Sequence, residues 1–185
     1  MWERRNRRAD RKKFGGASVA AFAVLACAAP SFAQTAHVRG ERGMQRLVDQ
    51  AARRSPMVQE LIDRLQTQDV TVYVRARAFP QLDLEGRVAL LSTVGGHRYL
   101  VIELACGRSE LAQMATLGHE LFHALEIAAA PAVVNAATLA DLYSRIGTKT
   151  GDSGGRRTFE TEAAAAAGML ARRQLLTSTR HAHGT

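Results

Sequence analysis

The sequence predicts a single α+β domain, and three features of its patterning carry that reading. Apolar residues recur at helical spacing from Met44 to Leu65, at a period of two from Val70 to Leu104, and again at helical spacing beyond Ser109. Two of the period-two runs meet at Gly95-Gly96, a hairpin signal. The stretch from Ser109 to Ala130 is apolar nearly all round, which marks a buried central helix rather than a surface one. With 185 residues, 46% of them hydrophobic, the chain can bury one good core and is short for two.

The elements follow in order. Met44, Leu47, Val48 and Ala51 form the apolar face of a first helix, after a polar lead-in over 34–43 that is expected to be flexible. Ser55-Pro56 pairs a capping residue with proline at the first helical position and opens a second helix, its apolar face Val58, Leu61, Ile62 and Leu65. Val70, Val72 and Val74 alternate with Thr71, Tyr73 and Arg75 and predict a strand. The runs 88–94 and 98–104 predict an antiparallel pair, giving a small antiparallel or mixed three-stranded sheet. Ser109 caps the long helix, Glu110 sits in its first turn where the dipole favours an acid, and Pro131 stops it. A weaker helix is expected over 132–146 and a polar, glycine-rich loop over 147–157. An alanine-rich helix should follow from Thr158 to about Leu176, with a disordered tail over 177–185. No internal repeat is present.

Charge and the N-terminus bear on location and partners. The net charge is +8, but residues 1–13 hold seven basic residues and two acids, which leaves only +3 for everything after them. No later basic run exceeds two residues, so the chain lacks a phosphate-tracking surface and no nucleic-acid partner is expected. The basic head, the thirteen-residue apolar stretch Ala17–Ala29, and the small residues of Ser31-Phe32-Ala33 have the layout of a secretory signal. The apolar stretch is shorter than the roughly 20 residues a membrane-spanning helix needs. Residues 1–33 are therefore expected to be a signal peptide cut before Gln34, placing a domain over 44–176 in the periplasm or outside the cell. Lipidation at Cys27 is the one route to a membrane, through a weak lipoprotein-like box at Val24-Leu25-Ala26-Cys27. The processed chain would keep one cysteine, Cys106, which cannot form an internal disulfide and is expected to act as a small buried hydrophobe.

The chemistry concentrates in His119-Glu120-Leu121-Phe122-His123. Spacing of i, i+4 stacks two imidazoles on one helical face, where both can reach one metal ion. Glu120 stands beside the first of them, placed to take a proton from a metal-activated water without occupying the metal. Zinc is the expected ion, with a third protein ligand and one position open for water. The longer stretch Thr116-Leu117-Gly118-His119-Glu120-Leu121-Phe122-His123-Ala124-Leu125 resembles the extended signature of the zincin metallopeptidases: a Val or Thr three before the first histidine, uncharged residues inside the motif, and an apolar residue after it.

That resemblance implies a zincin-like fold and zinc-dependent hydrolysis of peptides, with Glu120 as general base and a peptide or protein laid antiparallel along the sheet edge. The Gly and His that the metzincin branch places soon after the motif are missing, since Glu126, Ile127, Ala128 and Ala129 stand there. The gluzincin branch takes its third ligand from a glutamate on a later helix, for which Glu160 and Glu162 are both candidates. Glu160 is favoured because on a helix it would share a face with Ala164, Ala167 and Ala171, whereas Glu162 would share one with Ala166, Met169 and Arg173. Glu126, about 10 Å along the axis from His119, is too far to share the ion and is expected to bond His123 or another ligand from behind. Zincins also use a Tyr or His to stabilise the oxyanion, a role for which Tyr143 is the candidate. His97 should be exposed on its hairpin, and His181 and His183 should play no part at the metal. A different outcome would be a zincin-like domain that holds metal as a scaffold in the cell envelope, without turnover.

Overall fold

In a computed structural model, the described residues are 36–182, apart from 82 and 154–155. The leader with its expected cleavage site, Cys27, and His183 lie outside them. The elements run β1 (Val38–Gly40), α1 (Met44–Arg54), α2 (Pro56–Leu65), β2 (Val70–Arg77), β3 (Gly86–Val94), β4 (His97–Ala105), α3 (Glu110–Ala128), α4 (Ala136–Ile146), β5 (Thr148–Ser153), β6 (Arg156–Glu160) and α5 (Glu162–Ala182). The fold is α+β, with five helices, a mixed four-stranded sheet and a separate β5–β6 hairpin.

The main sheet has the order β1-β2-β4-β3. β1, β2 and β4 are parallel, and β3 is antiparallel to β4. Gly95 and Gly96 turn the β3–β4 hairpin with φ of 57° and 86°, the left-handed pair that a two-residue turn requires. Alternation then sorts the strands. Val70, Val72 and Val74 of β2 and Leu100, Ile102 and Leu104 of β4 are fully buried, on the face that meets the helices. α3 lies at the centre of that layer, against α1, α2, α5, β3 and β4. Its all-round apolar pattern is thus explained by neighbours on every side.

The two ends of α3 are held differently. Ser109 caps the start, its hydroxyl accepting from Ala112 N. The last turn contains no basic residue, and Arg98 of β4 takes that role from outside: its guanidinium donates to the carbonyls of Ile127, Ala128 and Ala130 at 2.7–2.9 Å. α3 and α5 approach closely because glycine stands at the crossing on both. A Cβ on Gly118 would lie 2.8 Å from Ala171 Cβ, and one on Gly168 would lie 3.0 Å from His119 Cβ.

Several expectations need correction. The lead-in contains β1, whose Val38 is buried and pairs with Val72, so the sheet has four strands rather than three. Three residues are too few to show a period. The stretch 147–157 is mostly hairpin, because Thr148–Ser153 pairs antiparallel with Arg156–Glu160. That pairing delays the last helix, which begins at Glu162 and not Thr158. The same helix extends through Ala182, where a disordered tail was expected. Arg54 of α1 helps anchor it by donating to Leu175 O, Ser178 Oγ and Thr179 Oγ1. α4 starts at Ala136 rather than Ala132, set by a reciprocal cap between Asn135 and Thr138. Cys106 is exposed in the turn after β4, not buried. His97 is half-buried, with Nε2 2.9 Å from Thr71 Oγ1.

Candidate metal centre

The helix period of α3 puts His119 and His123 one turn apart, with ring centroids 4.8 Å apart and planes at 76°. Glu160, at the C-terminal end of β6, comes to them from across the fold. Its Oε2 lies 3.3 Å from His119 Nε2 and its Oε1 3.5 Å from His123 Nε2. One ligand atom from each of the three residues falls within 4.8 Å of the others, so the group can hold a metal ion. Two imidazole nitrogens and a carboxylate suit a borderline-soft divalent ion, and both histidines turn the same nitrogen, Nε2, to the shared carboxylate.

What lies behind the ligands supports that fit. His123 Nδ1 is 2.7 Å from Glu126 Oε2, which fixes the tautomer that leaves Nε2 free for a cation. Glu126 Oε1 in turn accepts from the Thr161 hydroxyl at 2.7 Å, and that hydroxyl accepts from Ala164 N at 3.2 Å. Thr161 therefore joins the first turn of α5 to the second turn of the metal-site motif. Its own backbone N donates to Glu160 Oε1, which holds the third ligand to its neighbour.

Glu120 is 4% exposed and points into the same site. Burial pushes its carboxyl up to about 7; the proximity of His123 and a hydrogen bond from the Val88 backbone oppose that rise, and Glu160 adds to it. Gly86, at the start of β3, lies against it, since a Cβ there would come within 3.0 Å of Glu120 Oε1 and 2.5 Å of Thr116 Cγ2. The two histidines diverge. Burial lowers the pKa of His119, outweighing the nearby Glu160, whereas for His123 burial is outweighed by the Glu126 hydrogen bond and the surrounding acids, which raise it.

Of the sequence-derived candidates, the structure brings together His119, His123 and Glu160, sets Glu120 beside them, and places Glu126 on His123. Glu160 arrives by a route other than the one expected. It is the last residue of a strand, so it shares no helical face with Ala164, Ala167 or Ala171, and Thr161 separates it from α5. Glu162 is exposed in the first turn of α5, outside the group. Tyr143, the candidate oxyanion donor, lines the cleft and is bonded to the ligand helix. Its hydroxyl donates to the His123 carbonyl at 3.2 Å, its ring stands edge-on to His123 at 5.4 Å, and it stacks on Phe159. Burial first, then Glu126 and Glu120, raise its pKa above the ordinary tyrosine value. In this arrangement it braces the ligand helix. Sequence reasoning missed Thr161, Gly86 and Gly168. Gly168 left a signal, as the one glycine in an alanine-rich helix that would be about 1 kcal/mol better off with alanine.

No protein-family model matches the chain, and no curated protein or solved structure matches it significantly.

Proposed function

We propose that this chain is an exported, zinc-dependent metallopeptidase of zincin type, closest in its ligand set to the gluzincins. The observation that carries the reading is the buried Glu120 next to the His119, His123 and Glu160 group, at the floor of a cleft open to solvent. A closed structural site has four protein ligands and no use for a carboxylate buried alongside without an ion partner.

His119, His123 and Glu160 would hold the zinc, which would supply Lewis-acid chemistry and a water of lowered pKa. The Glu120 carboxylate would act as the base beside them, taking up a proton and passing it to the departing amine. Glu126 and Thr161 keep His123 in the required tautomer, and Tyr143 holds the backbone of its helix turn. β3 is an edge strand whose first residues line the cleft, so an extended peptide can pair with it as an added strand. The β-bulge between Leu90 and Ser92 breaks the ladder, which leaves Gly86–Leu90 as the regular length of edge beside Glu120. Export rests on the basic head, apolar stretch and small residues of the first 33 positions. Among the described residues no helix is long and apolar enough to cross a membrane.

Glu120→Gln tests the mechanism, because it keeps volume and hydrogen bonding while removing the base. The variant is expected to bind one zinc per chain, as wild type does, and to lose cleavage of an unstructured protein by a factor of about 10² or more. Equal, chelator-insensitive cleavage by both chains would reject the mechanism. Zinc bound to both with cleavage by neither would favour the scaffold role.

A further inference from the structure

We infer that Arg75, Arg77 and Arg87, gathered around Glu103 on the sheet face away from the helices, form a binding site for a phosphate dianion, free or as the end group of a soluble phosphomonoester. Nothing in this depends on the peptidase reading. Register places the parts. Arg75 of β2 and Arg87 of β3 both stand opposite Glu103 of β4, one on either side, and Arg77 lies two positions along from Arg75 on the same face. Glu103 is 1% exposed, and two of the guanidinium groups already serve both its oxygens. Arg75 donates from Nε and Nη2 to Oε1 at 3.0 and 2.6 Å, and Arg87 donates from Nε to Oε2 at 2.5 Å. Arg77 adds a bond from Nη1 to Oε1 at 2.7 Å. That third cation is not needed to satisfy the carboxylate, and it sets a like charge against Arg75. A second anion relieves the repulsion.

Three cations on one carboxylate leave two positive charges in excess. Each guanidinium carries five N–H donors. Among the described residues, these three groups meet no acceptor besides Glu103. Glu85, the acid that precedes β3, is turned instead to Arg108 and Thr116. The guanidinium groups are also held in place, because Glu103 fixes all three and Arg87 stands over the Phe79 ring at 5.7 Å. Donors fixed beforehand lose little freedom on taking a ligand. A phosphate dianion matches the excess charge and offers three acceptor oxygens, whereas a carboxylate matches half of that charge. The arginine side chains are 35–45% exposed, so their heads sit within the face, where a solute reaches them more readily than a bilayer surface does. No basic run marks the site in the sequence, since it is assembled from three strands.

Inorganic phosphate is the probe, titrated into the chain by calorimetry at about pH 7.5, where it is mostly dianionic, with acetate as the monoanion control. Wild type should bind one phosphate per chain, and acetate more weakly by about tenfold or more. Arg77→Gln removes one cation while Arg75 and Arg87 still satisfy Glu103, so it should stay folded, which circular dichroism verifies. Its phosphate affinity should fall by about tenfold. Arg77→Lys keeps the charge without the planar fork and should fall between the two. Arg172→Gln, at an exposed arginine near the metal group, should bind phosphate as wild type does. If Arg172→Gln weakens binding and Arg77→Gln does not, the anion lies at the metal group and the site is overturned. Wild type with no saturable phosphate binding, or with equal affinity for phosphate and acetate, overturns it as well. Retention on phosphatidylcholine vesicles carrying phosphatidic acid, without binding of free phosphate, overturns the soluble ligand.

Discussion

Thr161 is a single hydroxyl with two tasks, and both concern the metal group. It receives the Ala164 N–H and donates to Glu126, whose other oxygen holds His123 Nδ1. Thr161→Val keeps the shape and deletes both hydrogen bonds. Glu126 then loses its anchor, His123 turns more freely, and zinc affinity is expected to drop by about tenfold, as for other residues that orient a ligand from behind. Thr161→Ser should restore most of it. Competition against a chromophoric chelator measures both variants, and a Thr161→Val chain with wild-type affinity would show that Glu126 needs no anchor. How far the site was legible follows from the same residues. His119, Glu120, His123 and Glu126 lie within one helix, where spacing alone fixes who faces whom. Thr161 reaches Glu126 across 35 positions of sequence, and nothing in its neighbourhood marks that contact. The helical face that favours Glu160 in the sequence does not form, because the residue ends β6. Glu160 still joins the group because the β5–β6 hairpin carries a carboxylate directly before the α5 cap to the α3 side, a route invisible to periodicity.

At the scale of the element, α3 depends on a residue outside it. Its final turn has no cation of its own, and the Arg98 guanidinium on β4 meets the carbonyls of Ile127 and Ala128 in that turn and of Ala130 just beyond it, while buried to 5% exposure. Arg98→Ala removes the guanidinium from all three, leaving Ile127 O and Ala130 O only the backbone N–H groups of Ala130 and Val133, and the cost is expected to be about 2 kcal/mol. For a domain of this size that corresponds to a fall in Tm on the order of 5–10 °C. Calorimetry on the zinc-free chain isolates the effect from metal release. A Tm within a degree or two of wild type would mean that water replaces the guanidinium. Helices were the legible elements: the buried faces of α1 and α2 are those the sequence marks, because each is set by its own period and by the Ser55-Pro56 start. β1 and the β5–β6 hairpin were not legible. A three-residue strand and a glycine-rich polar hairpin take their form from partners rather than from propensity.

Among the described residues the helical core packs on one face of the main sheet, and an ion cluster on the sheet's other face spans three strands. Glu103 of β4 is 1% exposed and takes guanidinium groups from Arg75 and Arg77 of β2 and from Arg87 of β3. Burial alone would push its carboxyl up, but the hydrogen bonds of Arg77, Arg75 and Arg87 outweigh it and hold it at about 2, below the ordinary 4.5. A folded-state value depressed in this way adds stability that is present above the unfolded value and disappears as pH falls through the folded one. The window is therefore from about pH 4.5 down to about pH 2. At pH 6 Glu103→Gln should be less stable than wild type by on the order of 2 kcal/mol, discounted because the three arginines are 35–45% exposed. By pH 2 the two chains should differ little, since the wild-type carboxylate is then about half protonated in the folded chain and most of the linkage contribution is gone. Urea unfolding of both chains, free of metal, gives the difference at each pH. Histidines and acids at the metal centre titrate in both chains alike, so they cancel in that difference, and only the cluster is read. A gap that stays constant from pH 6 to pH 2 would mean the arginines stabilise Glu103 through packing of their stems, with no contribution from its charge.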